Sequence, residues 1–209
     1  VDASYFFGGP VRDAQVRWNL MSQDYYFYWP EGDGWWDFND LDLDRWEEPQ
    51  TPFGRFVSEG RGHTDAQGQF TFQLAADVGT RKMSQVFTME AVVVDANNQE
   101  VAARTSAIVH KGLFYIGLQP QAYVGTAGKE MGVNIVTLDP QGEMVPNIPL
   151  EVAFYEYRWY SVRERDSDGA MRWVSKAEDT QVATAQVVTD GSGRAVASLV
   201  PEKGGVYRI

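Results

Sequence analysis

The sequence predicts an all-β protein made of two tandem antiparallel β-sandwich domains. Apolar and polar residues alternate over many short stretches, and residues typical of turns separate these stretches. No amphipathic helix of normal length is evident. Short strands separated by turns are typical of sandwiches and barrels, and 209 residues suit one large domain or two small ones.

The strands of the first half follow the period-two pattern of a half-buried sheet. Within Ala14–Leu20 every second residue is apolar, so these apolar side chains share one face. The longer strand Val86–Asp95 is followed by Ala-Asn-Asn-Gln, a turn composition, and then by its hairpin partner. The strands predicted here are Ala14–Leu20, Gln69–Leu74, Val86–Asp95 and Glu100–Val109.

The second half begins a new series of strands. Met131–Asp139 is mainly apolar and ends in the turn sequence Asp-Pro-Gln-Gly, Asp139–Gly142. The strands predicted here are Leu113–Pro120, Met131–Asp139, Ile148–Tyr155, Thr180–Thr189, Arg194–Val200 and Val206–Ile209. The second domain is therefore expected to be all-β like the first.

A short motif, Thr-Asp-x-x-Gly, occurs once in each half. It starts at Thr64 and again at Thr189, each time just before an alternating stretch. Pro10–Val16 likewise corresponds to Met144–Leu150, with apolar residues at matching steps. In both halves an aromatic-rich strand and an insertion separate the two motifs. The sequence therefore predicts a duplicated domain.

The repeated motif has a structural and a functional interpretation. As a turn, Asp65 or Asp190 caps the backbone through its carboxylate, and Gly68 or Gly193 supplies a positive φ. As a functional site, the two aspartates would be catalytic or would bind calcium. The turn interpretation is favoured because Asp-x-x-Gly between strands is an ordinary hairpin composition.

The domain boundary is predicted in the short linker Ile108–Gly112. The first domain takes residues 1–110, with an acidic, aromatic insertion at about 24–52, and the second takes residues 111–209. A linker this short restricts the mutual orientation of its domains. Because the chain opens with Val1 and stops within a strand pattern, we expect a fragment of a longer protein whose second domain lacks its last strand.

Composition excludes several classes of function. Lys and Arg number 18 against 29 Asp and Glu, and the net charge of −11 repels phosphate backbones, so nucleic-acid binding is not expected. Without cysteine there is no disulfide, thiolate zinc site or cysteine nucleophile. No apolar run is long enough to span a membrane. We expect no cofactor and no membrane contact from this part of the chain.

One stretch, Tyr25–Pro49, is both aromatic and acidic. Between Glu31 and Glu48 there are eight acidic residues and one basic residue, Arg45. This stretch therefore carries a net charge of −7 out of the chain's −11. Four of the seven tryptophans lie between Trp29 and Trp46. A second insertion, at 155–173, is aromatic and basic instead.

Three interpretations of the acidic stretch remain open. The oxygen ligands that calcium would use are Asp33, Asp37, Asn39, Asp40, Asp42 and Asp44, although their spacing is not that of an EF-hand. A sugar would stack on Trp35 and Trp36, with Asp33 and Asp37 binding its hydroxyls. The favoured interpretation is a hairpin insertion whose aromatic residues pack on the sandwich or on a neighbouring domain. The candidate interface residues are Trp35, Trp36, Trp46, Trp159 and Trp173.

No catalytic constellation is evident in the sequence. Asp42 and Asp44 share a face if extended, but nothing gives one of them the distinct environment that a general acid needs. His63 and His110 lack a third partner in sequence. The chain is therefore expected to be non-enzymatic, and a glycan-active enzyme would require that Asp37→Ala or Asp42→Ala abolish hydrolysis.

Four segments resemble parts of the macroglobulin-like domains of bacterial α2-macroglobulins. Tyr5–Trp18 resembles the Tyr-x-Phe-Gly-x-Pro-Val-x-x-Ala-x-Val opening of such a domain, and Gly60–Phe70 resembles its later hairpin. Phe114–Pro120 and Gly204–Ile209 are similar to the two ends of the next domain. The resemblance covers almost the whole chain.

The resemblance implies a fold and a function. Members of this family are protease traps in which cleavage of a bait region closes the molecule round the protease, and many carry a Cys-Gly-Glu-Gln thioester. Their macroglobulin-like domains are seven-stranded sandwiches. The chain has no cysteine and no evident bait region, so the resemblance implies two consecutive scaffold domains upstream of that machinery.

The implied partners are neighbouring domains of the same chain and, for the full-length protein, target proteases. The implied location is the periplasm or the extracellular space, with inner-membrane anchoring of the full-length protein in some members. The alternative is an Ig-like adhesion or carbohydrate-binding module of a cell surface.

Overall fold

The computed structural model describes residues 1–39, 54–166 and 169–209. Within these residues, ten strands form three antiparallel sheets, which confirms the all-β prediction. The chain divides into two compact units. The first comprises Val1–Phe27 and Asn39–Leu113, and the second comprises Tyr28–Phe38 and Phe114–Ile209. Among the described residues, no helix is long and apolar enough to cross a membrane.

The first unit is built on a four-stranded sheet in the order β2-β1-β3-β4. Its strands are β1 (Gln15–Asp24), β2 (Arg55–His63), β3 (Gln85–Val94) and β4 (Glu100–Val109). The predicted apolar face of β1 is confirmed, because Val16 and Leu20 are buried and Trp18 stacks on Phe72 with ring centroids 4.5 Å apart. Phe87, on the neighbouring strand β3, is buried as well.

Strand β2 was not predicted, and its glycines explain why. Gly60 lies opposite Trp18, whose ring occupies the space where a Cβ would sit, 2.4 Å away. Gly62 makes room in the same way for the ring of Phe70, 2.1 Å from the position of a Cβ. The sequence therefore lacks side-chain alternation at the two glycines of β2 that admit the rings of Trp18 and Phe70.

The predicted strand Gln69–Leu74 is wrong. This segment makes one isolated bridge, between Gln69 and Asp2, and no continuous ladder. Its alternating Phe70 and Phe72 stack on each other, with centroids 5.3 Å apart, and cover β1 and β2. The period-two alternation arises here because two rings lie on one face of an extended segment that does not pair as a strand.

The second unit contains a sandwich of two three-stranded sheets, β5-β6-β9 and β10-β7-β8. Its strands are β5 (Tyr115–Pro120), β6 (Met131–Leu138), β7 (Pro149–Arg165), β8 (Met171–Val188), β9 (Arg194–Leu199) and β10 (Val206–Arg208). The core joins both sheets: Val133 and Ile135 come from β6, Val152 and Phe154 from β7, and Ala197 from β9. Burial of Phe154 alone contributes about 1.5–3 kcal/mol.

The structure and the sequence differ in two boundaries. The unit boundary falls between Leu113 and Phe114, beyond the predicted 110/111, and Tyr28–Phe38 joins the second unit although the sequence counted it with the first. Strands β7 and β8 also run far beyond the predicted Ile148–Tyr155 and Thr180–Thr189. Beyond Tyr157 their extra length is mainly exposed, so it lacks the sustained alternation of buried apolar and exposed polar residues on which the prediction relied.

Candidate interaction surfaces

The five tryptophans proposed as interface residues fall into three groups. Trp35 is 70% exposed and Trp36 is half-buried, both in the segment Tyr28–Phe38 of the second unit. Trp159 and Trp173 are 65% and 71% exposed on the β7–β8 hairpin. Trp46 lies outside the described residues, as do Asp40, Asp42 and Asp44 of the calcium interpretation.

The segment Tyr28–Phe38 is attached to strand β5 by backbone pairing. Asp37 donates its N–H to the carbonyl of Leu118 over 2.9 Å and accepts from the Leu118 N–H over 2.8 Å. Phe38 lies over Gly117, where a Cβ would be only 2.5 Å from its ring. Gly117 therefore lets an aromatic ring approach the backbone of the sheet edge.

Two tryptophans of the same segment also pack against each other and against an arginine of β9. The rings of Trp29 and Trp36 meet edge-to-face at 5.9 Å, and Trp29 is buried. The Arg194 guanidinium of β9 lies 5.8 Å from the Trp29 ring and 5.9 Å from the Trp36 ring. A cation over aromatic faces stabilises such an arrangement by about 0.5–2 kcal/mol. Trp36 is thus a packing residue, in contrast to its role in the sugar interpretation.

Beside Trp35 lies a groove of about 470 Å³. Its lining residues are Trp35, Gln119, Pro120, Gln121, Tyr123 and Asn134. Three side-chain amides form a ladder across its floor. Gln121 Nε2 donates to Asn134 Oδ1 over 2.9 Å, and Asn134 Nδ2 donates to Gln119 Oε1 over 3.2 Å. Gln119 Nε2 in turn donates to the Asp33 carbonyl over 2.9 Å.

Apart from Trp35, sequence reasoning missed the residues of this groove. Gln119 and Asn134 stand opposite each other on β5 and β6, and register cannot be read from either strand alone. Tyr123 lies in the connection after β5, 79% exposed. An isolated exposed tyrosine between strands carries no signal of its own in the sequence.

The β7–β8 hairpin forms a second surface, here called the hairpin arm, at Arg158–Arg165 and Met171–Glu178. Burial ends at Glu156, and the residues beyond it are mainly exposed. Eight residues of extended strand span about 25 Å. The arm is therefore a two-stranded ribbon that extends past the core of its sandwich.

One face of the hairpin arm is aromatic and cationic. Directly opposite residues of an antiparallel pair share a face, so Trp159 lies on the side of Arg163 and Trp173. The Arg163 guanidinium lies 5.9 Å from the Trp173 ring. The other face carries the ion pair between Lys176 and Glu164, which raises the pKa of Lys176.

Glu156 marks the base of the arm. Its carboxylate is buried and accepts from Arg158 Nε and from Lys203 Nζ, both over 3.0 Å. The hydrogen bond from Arg158, followed by that from Lys203, holds the pKa of Glu156 below its ordinary value. A buried carboxylate with two cationic partners is satisfied as an ion-pair network, and its role is structural.

The aspartates of the repeated motif are turn caps, which confirms the turn interpretation. Asp65 Oδ1 accepts from the N–H groups of Gln67 and Gln69 over 2.8 and 2.9 Å. Asp190 Oδ1 accepts from those of Ser192 and Arg194 over 2.8 and 3.1 Å.

The two histidines also have structural positions. His63 ends β2 opposite Gln15, and the His110 ring meets Tyr25 edge-on at 5.9 Å.

Comparison with known proteins assigns the second half of the chain. Residues 117–209 match the family model of bacterial macroglobulin domain 6. The match supports a bacterial macroglobulin domain in this part of the chain. The resemblance to the bacterial macroglobulin family, seen in the sequence, is thereby confirmed. No curated protein matches the chain.

Solved α2-macroglobulins share the fold over nearly the whole chain. The native Escherichia coli α2-macroglobulin matches 96% of this chain with a TM-score of 0.63 at 15% identity. Salmonella α2-macroglobulin reacted with methylamine matches 96% with a TM-score of 0.55 at 14% identity. Escherichia coli α2-macroglobulin activated by porcine elastase matches 96% with a TM-score of 0.51 at 14% identity. This chain spans 13%, 14% and 18% of those chains, respectively.

Proposed function

We propose that the chain forms two consecutive frame domains of an α2-macroglobulin-like inhibitor that traps endopeptidases. The observation that carries the proposal is the macroglobulin domain at residues 117–209. Similarity of fold over 96% of the chain to one α2-macroglobulin supports it further, because both units then belong to one such frame. The role of these domains is mechanical and non-enzymatic.

The composition of this chain bears on where the reactive group of the parent protein would lie. A thioester requires a cysteine thiol, and this chain has none. The reactive group of a thioester-containing parent would therefore lie in another part of the protein. The Escherichia coli relative is activated by porcine elastase, which fits a parent protein whose partners are proteases.

The first unit is proposed to be a macroglobulin-like domain as well. Its turn at Thr64–Gln69 and the start of its strand β1 repeat the backbone hydrogen bonds of Thr189–Arg194 and the start of β7 in the second unit, and the same aspartate cap closes both turns. Such repetition is expected of a duplicated domain and is not required of two unrelated sandwiches.

The location and contacts of the parent are part of the same proposal. The protein acts in the periplasm or outside the cell, with inner-membrane anchoring of the full-length form. Trp159 and Trp173 on the hairpin arm contact neighbouring domains of the same chain, because exposed aromatic residues beside arginine are enriched in interfaces. The family match at residues 117–209 favours this proposal over the alternative, an Ig-like adhesion or carbohydrate-binding module.

The full-length parent tests the proposal. It is mixed with trypsin or elastase, and cleavage of casein is followed in parallel with cleavage of a short chromogenic peptide. A trapped protease still reaches the peptide but not casein, so we expect casein cleavage to fall strongly while peptide cleavage continues. Equal cleavage of both substrates would contradict the proposal.

Variants in this chain test its mechanical role within the parent. Phe154→Ala removes a core side chain at a cost of about 3–5 kcal/mol, and we expect protection of casein to be lost. Val196→Ala in the same sandwich, 57% exposed, is the matched control and retains protection. The double change Trp159→Ala with Trp173→Ala should reduce protection less than Phe154→Ala. Full protection by the Phe154→Ala parent would show that this domain is dispensable for the trap.

A further inference from the structure

The groove beside Trp35 has the features of a built binding site. Its two exposed aromatic rings, Trp35 and Tyr123, belong to different segments of the second unit, and an amide ladder lies between them on the floor. Its volume of about 470 Å³ falls within the roughly 300–1,000 Å³ of small-molecule sites. None of its six lining residues carries a charge.

Two glycines make the ladder sterically feasible. Gly132, beneath Gln121, would place a Cβ only 2.3 Å from Gln121 Oε1. Gly34 has a φ of +79°, and its Cβ would lie 3.0 Å from Gln119 Nε2. The backbone therefore carries no side chain at the two points that the amides approach.

The ladder also fixes the orientation of the loop that presents Trp35. Gln119 donates to the carbonyl of Asp33, two residues before that tryptophan. On the far side of Trp35, Asp37 is paired with Leu118 through both backbone groups. Trp35 is thus exposed between two anchored points, so holding its ring in place for a ligand costs little additional conformational entropy.

We propose that this groove binds a neutral oligosaccharide. A pyranose ring has a C–H face that packs on indole or phenol rings, and hydroxyl groups at its edge that both donate and accept. Amide side chains carry the same pairing of donor and acceptor, so the ladder suits hydroxyls in either direction. The uncharged lining favours a neutral sugar over an anionic one, because an anion would lose its hydration without gaining a cationic partner.

A proline-rich peptide is the competing ligand for an aromatic groove, and the amides argue against it. Polyproline segments offer carbonyl acceptors but no backbone N–H donors. Gln121 donates through Nε2 within the ladder, which leaves Oε1 to accept from the ligand. A hydroxyl supplies that donor, whereas polyproline leaves the amide oxygen unpaired at a cost. This binding activity goes beyond the frame role and does not depend on it.

The test uses the 209-residue chain with chitotetraose, cellotetraose and maltotetraose as probes, and hexaproline as the competing ligand. Binding is followed by calorimetry and by NMR of the tryptophan indole N–H and side-chain amide signals. We expect at least one sugar to bind with a Kd of about 1 mM or lower. Trp35→Ala should weaken that binding at least about tenfold. Trp159→Ala, which removes a similarly exposed tryptophan of the same unit, should leave it unchanged.

A second variant keeps the proposal testable if Trp35→Ala perturbs its loop. Gln121→Leu retains the bulk of the exposed side chain but removes its hydrogen bonds, and it should weaken binding by roughly fivefold. The proposal is overturned if none of the sugars binds at about 10 mM, well above a weak Kd. It is equally overturned if hexaproline binds more tightly than every sugar, or if both groove variants bind like the wild type.

Discussion

The two units repeat one junction, at which a turn is hydrogen-bonded to the segment that leads into a strand. Asp13 in the first unit and Asn147 in the second both have positive φ, 50° and 60°. Asp13 donates its N–H to the carbonyl of Thr64 over 3.1 Å, and Asn147 donates to that of Thr189 over 3.0 Å. In return, the Thr64 N–H donates to the carbonyl of Ala14, and the Thr189 N–H donates to that of Ile148, both over 3.0 Å. These backbone hydrogen bonds are the same in both, and Asn147 adds a longer one to the Asp190 carbonyl over 3.4 Å.

The junctions differ in the source of one hydroxyl hydrogen bond. In the first unit Thr64 supplies both functions: its Oγ1 accepts from the Ala14 N–H over 2.9 Å and donates to the Val11 carbonyl over 2.7 Å. The side chain is buried, so its two partners have no alternative in solvent. One residue therefore satisfies two backbone groups.

In the second unit two threonines divide these functions. Thr189 Oγ1 accepts from the Ile148 N–H over 2.8 Å, while Thr137 Oγ1 donates to the Val145 carbonyl over 2.5 Å. The two hydroxyls are 3.4 Å apart. The position of Thr137 corresponds to Ala3 in the first unit, which has no hydroxyl, so the donor there must come from the turn threonine. The comparison shows that the backbone network is retained while the side chains that complete it change.

The largest expected difference between the junctions concerns their turn glycines. Gly68 has a φ of +80°, and a Cβ there would lie 2.4 Å from the Ala3 carbonyl oxygen, a backbone atom. Gly193 has a φ of +70°, but its nearest such contact is 3.2 Å. Gly68→Ala should destabilise the first unit by about 2–4 kcal/mol, and Gly193→Ala the second by about 1–2 kcal/mol.

Native-state hydrogen exchange measures these effects unit by unit, because amides of β1 and β7 report on different units. Gly191→Ala is the matched control, since a Cβ there meets nothing within 4 Å, and it should change stability by less than about 0.5 kcal/mol. A larger effect at Gly193 than at Gly68 would contradict the steric difference between the junctions.

The threonines provide a smaller contrast. Thr64→Val leaves a buried N–H and a buried carbonyl unpaired, so we expect a loss of about 2–3 kcal/mol in the first unit. Thr189→Val removes one acceptor, while Thr137 still serves Val145, so we expect about 1–2 kcal/mol in the second. The same exchange measurement applies.

Thr88→Val serves as the control for the threonine pair, because its hydroxyl shares an exposed hydrogen bond with Ser106. It should change stability by less than about 0.5 kcal/mol. Equal losses for Thr64→Val and Thr189→Val would mean that Thr137 does not take over the donor function.

Local signals in the sequence account for much of this fold. The alternation in β1 identified its buried face, and the Asp-x-x-Gly motifs identified two turns and their caps. These features depend on residues close together in the chain. The duplicated order also predicted a second sandwich, which the structure and the family match confirm for residues 117–209.

Features that depend on distant residues could not be predicted. Gly60 weakened the strand signal of β2 because it admits the Trp18 ring from a neighbouring strand. The acidic stretch was counted as one insertion of the first domain, yet Tyr28–Phe38 belongs to the second unit. That assignment depends on Arg194 and on backbone pairing with Leu118, neither of which is local in sequence. The amide ladder likewise needs the register of β5 and β6.

The smallest expected effect concerns the two turn aspartates, which differ in the hydrogen bonds that their carboxylates accept. The Ser192 hydroxyl donates to Asp190 Oδ1 over 2.7 Å and, with the backbone N–H groups of Arg194 and Ser192, lowers the pKa of the Asp190 carboxyl. The corresponding residue of the first turn is Gln67, which donates only its backbone N–H to Asp65 Oδ1. Since the folded-state pKa of Asp190 is below the unfolded value of about 3.9, its contribution to stability is present above that pH. The contribution is lost as the pH falls through the folded value.

Ser192→Ala should therefore raise the pKa of Asp190 towards its ordinary value and move acid unfolding of the second unit to higher pH. A ¹³C NMR titration of the Asp190 carboxyl measures the first effect, and hydrogen exchange of β7 amides as a function of pH measures the second. Gln67→Ala is the control and should leave both unchanged, because its amide group has no part in the second turn. If Ser192→Ala left the titration of Asp190 as in the wild type, the serine hydroxyl would make no contribution to the pKa of Asp190. The two turns would then differ in sequence but not in electrostatics.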